Sequence, residues 1–172
     1  MLPKMVTYVL TQASLPSPTS PLTHLVDAYC GSGLFCLSAH SLFSTCVGIE
    51  VNESAISEAN ENARINGIKN CEFTAASSEV VFGGIRHFPR ERTAVIMDPP
   101  RKGSSEDFLD QLCDFRPQRI IYMSCGPDTQ ARDAGRILET GRYEVKEIQP
   151  IDLFPQTRHI ECCVVFEYVG GR

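Results

Sequence analysis

In the run Met123-Ser124-Cys125-Gly126-Pro127 an apolar strand pattern gives way to a helix pattern, and a cysteine sits at the change. A thiol at a strand tip stands where α/β sheets gather their ligands. A helix starting within a few residues brings its N-terminal partial positive charge toward the sulfur. Cys125 is therefore a candidate covalent nucleophile. An unplaced cysteine is more often a small core residue; the strand-tip position argues the other way. The second reactive group lies in Asp152-Leu153-Phe154-Pro155-Gln156-Thr157-Arg158-His159-Ile160-Glu161. Glu161 opens the final strand pattern, whose beginning should return to the edge where Cys125 sits, and a carboxylate there can act as a general base. His159 is the competing base, although a lone loop histidine more often only forms hydrogen bonds. Arg158 could meet a phosphate or be solvated.

A ligand site can be read upstream. Asp27-Ala28-Tyr29-Cys30-Gly31-Ser32-Gly33 follows an apolar run, and its glycines permit a tight turn with close approach of backbone to a ligand. Alone, a GxG is an ordinary strand-to-helix turn. Glu50 strengthens the case: it ends the next strand pattern, where a carboxylate can accept hydrogen bonds from both hydroxyls of a ribose. A dinucleotide would call for a third glycine, so that a helix N-terminus could hold the pyrophosphate. Position 36 is Cys. A nucleoside cofactor without phosphates, S-adenosylmethionine, fits this loop better. Asp98-Pro99-Pro100-Arg101 ends a further strand, and its prolines stiffen a carboxylate that could position a base or a cofactor amino group.

These groups need a scaffold, and the pattern supplies repeated strand–helix units. Leu2 to Gln12 reads as a helix, followed by the Pro/Ser-rich stretch 14–21 as linker. Strands are expected at His24–Tyr29, Cys46–Glu50, Cys71–Thr74, Thr93–Met97, Arg119–Met123, Tyr143–Gln149 and Ile160–Tyr168. Helices are expected after Gly33 through Ala39, over Glu53–Asn66 with Gly67 as its stop, around Phe108–Cys113, and over Thr129–Leu138. The expected fold is α/β: a Rossmann-like, doubly wound and mostly parallel sheet that ends in an antiparallel hairpin. That ending favours a methyltransferase-type sheet over a plain dinucleotide-binding one. No internal repeat is present.

Bulk composition narrows the class. The 172 residues are 42% hydrophobic and 22% charged, which suits one globular domain with a real core. No apolar run approaches the ~20 residues of a membrane span, and no secretory signal is visible, so an intracellular protein is expected. The net charge of −5 does not advertise nucleic-acid binding, although a local basic face is compatible with it. Eight cysteines without export signals read mainly as core thiols; no CxxC pair occurs, and no metal site is expected.

The motifs at 27–33, 98–103 (Asp-Pro-Pro-Arg-Lys-Gly), 124–133 (Ser-Cys-Gly-Pro-Asp-Thr-Gln-Ala-Arg-Asp) and 152–161 resemble those of the RNA uracil-5-methyltransferases, most closely the eukaryotic tRNA branch that makes 5-methyluridine in the T-loop. The resemblance runs from Leu2 onward. It implies that residues 23–172 form an S-adenosylmethionine-dependent catalytic domain, behind an N-terminal helix and linker at 1–22. It further implies that Cys125 attacks C6 of a uracil and Glu161 removes the C5 proton. Tyr29 and Gly31 would line the cofactor pocket, Glu50 would hold the ribose, and Ser77 and Asp98 would meet the adenine end or the active-site edge. The expected substrate is a tRNA uridine, with ribosomal RNA as the alternative. Family members also carry an N-terminal RNA-binding β-barrel and an aromatic-aromatic-Gln stretch just upstream of the first helix, neither expected here, and Gly126 stands where they usually have Asn. Two other readings are open: a small-molecule or protein methyltransferase needing no nucleophilic cysteine, and a cofactor-binding unit without catalysis.

Overall fold

The structure, a computed structural model, describes residues 2–17, 20–157 and 159–170, leaving aside the side chains of Glu79 and Val81. Arg158 and part of the expected linker, Pro18 and Thr19, lie outside the described residues. Among the described residues seven strands form one sheet in the order β3-β2-β1-β4-β5-β7-β6. They are β1 (His24–Asp27), β2 (Thr45–Glu50), β3 (Cys71–Ala75), β4 (Thr93–Met97), β5 (Arg119–Ser124), β6 (Tyr143–Ile151) and β7 (Glu161–Tyr168). The first five are parallel, and β7 runs antiparallel between β5 and β6.

The inner parallel strands β1, β2, β4 and β5 are buried because both sheet faces are covered there, whereas the edge strand β3 is largely exposed. On one face, α1 (Leu2–Ser14) and α2 (Leu34–Ala39) pack Val9, Leu10, Phe35 and Cys36 against Leu25, Ile96, Ile121 and Met123. The first helix is part of this core, and Arg119 fastens it further by donating to the carbonyls of Gln12 and Leu15. On the other face, α4 (Val81–Gly84), α5 (Glu106–Phe115) and α6 (Pro127–Glu139) pack Phe82, Phe108, Leu112 and Ile137 against Val26, Val95, Ile120 and Tyr122. The remaining helix, α3 (Glu53–Ile65), lies beside β2 and β3. Its Asn52 cap accepts from the Ser54 and Ala55 amides, and Gly67, at φ +66°, follows its end.

The chain turns to opposite faces after β1 and after β4, which are neighbours in the sheet. Their carboxyl ends therefore diverge and leave a crevice, the usual ligand position in such a sheet. Because β7 is antiparallel, its first residue arrives at the edge where β5 ends. Among the described residues no helix is long and apolar enough to cross a membrane.

Candidate active site

The crevice is a cavity of about 550 Å³, within the range of small-molecule sites. Tyr29, Gly31, Glu50, Ser77 and Asp98 all line it. Four strand ends deliver them, those of β1, β2, β3 and β4, so residues far apart in the chain meet for a topological reason. Gly31 is at φ +51°, and a Cβ built there would touch nothing within 4 Å. The glycine thus serves the left-handed turn and keeps the wall bare. Glu50 is held from both sides, its Oε2 accepting from the Gly31 amide at 3.2 Å and its Oε1 from the Asn52 amide at 3.0 Å. Each oxygen has a second lone pair available for a ligand hydroxyl.

Tyr29 braces the cavity. Its hydroxyl donates to Ser104 Oγ at 3.2 Å and accepts from Ser78 Oγ at 3.1 Å, while its ring meets Phe108 edge-on at 5.5 Å. Ser78 and Ser104 gave no signal in sequence, because their role depends on loops that meet only in the fold. Asp27 was legible only as a motif member. It is fully buried, and among the described residues neither carboxylate oxygen has a hydrogen-bond partner of good geometry. Burial, then the charge of Asp98, pushes its carboxyl up to about 8; the nearby amides of Tyr29 and Cys36 oppose the shift. Asp98 keeps surface toward the cavity, yet the protein around it and the charge of Glu161 raise its carboxyl to about 6.

Cys125 and Glu161, the expected reacting pair, lie toward the Asp98 side of this cavity, where the charge of Glu161 acts on Asp98. Ser124 pairs with Cys162 in the β5–β7 ladder, so Cys125 and Glu161 are each one residue further out at the same end. Cys125 is half-buried and free. Gly126 caps α6, with Pro127 at its first turn, so the helix begins two residues after the sulfur, closer than the sequence pattern indicated. Burial raises the Glu161 carboxyl, against the opposing charge of Arg101. His159 is occupied differently: Arg101 Nη2 donates to its Nδ1 at 3.3 Å, so that nitrogen is an acceptor. The other cysteines are free, with Cys30, Cys36, Cys46, Cys113 and Cys163 buried and Cys71 and Cys162 half-buried.

The chain matches, over residues 3–169, the model of the family described as tRNA (Uracil-5-)-methyltransferase. It is 45% identical over 141 residues to the tRNA (uracil(54)-C(5))-methyltransferase of Schizosaccharomyces pombe, covering 80% of this chain and 27% of that protein. It is 38% identical over 175 residues to the Saccharomyces cerevisiae protein of the same name, covering 98% and 27%. The crystal structure of Pyrococcus abyssi tRNA (uracil-54, C5)-methyltransferase in complex with S-adenosyl-L-homocysteine superposes with a TM-score of 0.78 at 29% identity, covering 95% of this chain and 37% of that one. The chain therefore spans between about a quarter and two fifths of the length of these relatives.

Proposed function

The chain belongs to the tRNA (uracil-5-)-methyltransferase family, and from that premise we propose that it transfers a methyl group from S-adenosylmethionine to C5 of a tRNA uridine, in the T-loop, through a covalent Cys125 adduct. The observation that carries this reading is the placement of Cys125 and Glu161 at one end of the β5–β7 ladder, beside a cavity lined by all five expected cofactor residues. The cavity suits S-adenosylmethionine: its volume is adequate, Glu50 offers oriented acceptors to a ribose, and the bare wall at Gly31 admits a close ligand. Tyr29, Gly31, Glu50, Ser77 and Asp98 would hold it. When bound, it supplies the electrophilic methyl carbon that C5 takes up.

The protein's own residues account for the rest. Uracil C5 is a poor nucleophile until a thiolate adds to C6, which places the electron pair of the former C5=C6 bond on C5. Cys125 forms that S–C6 bond. After C5 has gained its methyl group it still carries its proton. Glu161 removes it, the C5=C6 bond re-forms, and the Cys125 thiolate leaves. A carboxyl raised by burial is better matched to taking a proton near neutral pH than an ordinary one. The base must leave its stack to reach this edge.

The test is methyl transfer to a T-arm RNA, read as 5-methyluridine after digestion to nucleosides. The expected result is product with the wild-type chain and none with Cys125→Ala. Product from Cys125→Ala would point to a methyltransferase without covalent catalysis. Cofactor binding without any transfer would point to a binding unit.

A further inference from the structure

Arg101 is where the wall of the cofactor cavity meets the reactive turn. Its carbonyl accepts from Thr129 Oγ1 at 2.9 Å, and its guanidinium reaches His159. The same Thr129 hydroxyl lies 3.0 Å from the Gly126 carbonyl, so one proton is shared between two carbonyls on opposite sides of a gap. The gap closes because residue 126 has no side chain. A Cβ there would sit 2.9 Å from Thr129 Oγ1 and 3.1 Å from the Arg101 carbonyl oxygen. Gly126 has φ −123°, which any residue adopts, so what the glycine provides is space rather than conformation. The following residues are gripped by the same helix: Arg132 Nη2 donates to the Lys102 carbonyl at 3.0 Å, and the Ser104 amide donates to the buried Asp133 Oδ2 at 2.8 Å. Helix α6 thus holds 101–104 through its main chain, and among these contacts Thr129 is nearest in sequence to Cys125.

We propose that Thr129 is a positioning residue: with Gly126 it clasps the Arg101 carbonyl to the turn that carries Cys125, and so fixes the Arg101 guanidinium beside His159 and Glu161. This rests on the reading of Cys125 and Glu161 as the reacting pair. The clasp makes the cavity wall and the reactive turn one rigid piece, because the hydroxyl and the absent side chain at 126 are two halves of one contact.

The experiment measures the rate of adduct formation with a 5-fluorouridine T-arm RNA at saturating S-adenosylmethionine. Thr129→Val keeps the shape and removes the hydroxyl; it is expected to slow the adduct about tenfold, the worth of one well-placed hydrogen bond. Thr129→Ser should stay within about twofold of wild type, and Gly126→Ala should match Thr129→Val. The double variant should be no slower than the worse single one, because both changes break the same contact. Wild-type rates in Thr129→Val, equal loss in Thr129→Ser, or multiplying effects in the double variant would overturn the clasp. If the wild-type chain gives no adduct, the proposed chemistry fails separately. The clasp is then judged without RNA, by amide exchange at Gly103 and Ser104. Faster exchange in Thr129→Val, restored in Thr129→Ser, supports it; equal exchange in all three overturns it.

Discussion

Cys125 and Glu161 stand at the same end of the sheet, each one residue beyond the Ser124–Cys162 pair that ends the β5–β7 ladder. The antiparallel direction of β7 produces this relationship. A parallel strand in the same place would deliver its first residue to the opposite edge, away from the cavity. Four parallel strand ends build the ligand pocket, and one reversed strand brings a carboxylate to the thiol.

Glu50 should dominate the ribose end. Glu50→Gln replaces an acceptor with an amide that faces a backbone N–H, and loss of charge-assisted hydrogen bonds of ~1.5–3 kcal/mol corresponds to roughly 10- to 100-fold weaker binding. Titration calorimetry with S-adenosylhomocysteine checks this. Affinity within about twofold of wild type would remove Glu50 from the cofactor site.

Asp27 sets a pH dependence of stability. Its folded pKa of about 8 lies well above the ordinary carboxyl value of about 4, so between these limits the unfolded chain releases a proton that the folded one keeps. The associated stability is complete below about pH 4 and is lost as pH rises through about 8. Asp27→Asn should melt higher than wild type near neutral pH and show a flatter profile from pH 5 to 8. Parallel melting curves in wild type and variant would contradict this origin.

Gly103 lines the cavity at φ +80°, and a Cβ there would sit 2.4 Å from Arg132 Nη2 and 2.7 Å from Asp133 Oδ2. Gly103→Ala therefore carries both backbone strain and a steric cost. Destabilisation of about 1–3 kcal/mol is expected in urea unfolding, together with weaker cofactor binding.

Arg119 and Glu167 form a buried ion pair at 2.6 Å, and Arg119 also holds the end of α1. Arg119→Met leaves a buried carboxylate uncompensated and should cost about 3–5 kcal/mol. Arg119→Met with Glu167→Leu should recover much of that loss. Equal melting temperatures for the single and double variants would show that the stranded charge is not the cause.

Much of this site could be read from residues alone, because Tyr29, Gly31, Glu50, Asp98 and Cys125 all stand at the carboxyl ends of strands with buried apolar residues, and strand ends are where such folds bind. The placement of β7 between β5 and β6 was not legible: two consecutive strand patterns specify a hairpin but not which member joins the sheet. Helix α4 was missed because Val81-Phe82-Gly83-Gly84 carries two glycines, which read as loop. Tertiary burial of Phe82 against Phe108 and Phe115 holds it instead. The Asp27 carboxyl and the Tyr29–Ser78–Ser104 brace depend on distances across loops, which residue spacing does not encode.

The covalent step is tested most directly by incubating the chain with 5-fluorouridine T-arm RNA and S-adenosylmethionine, then mapping any denaturation-resistant adduct by peptide mass spectrometry. Fluorine at C5 leaves no proton for Glu161 to remove, so the adduct should persist. The expected result is RNA-linked mass on the peptide containing Cys125, absent in Cys125→Ala. An adduct on another cysteine, or one that forms equally well in Cys125→Ala, would contradict the assignment of Cys125 as the nucleophile.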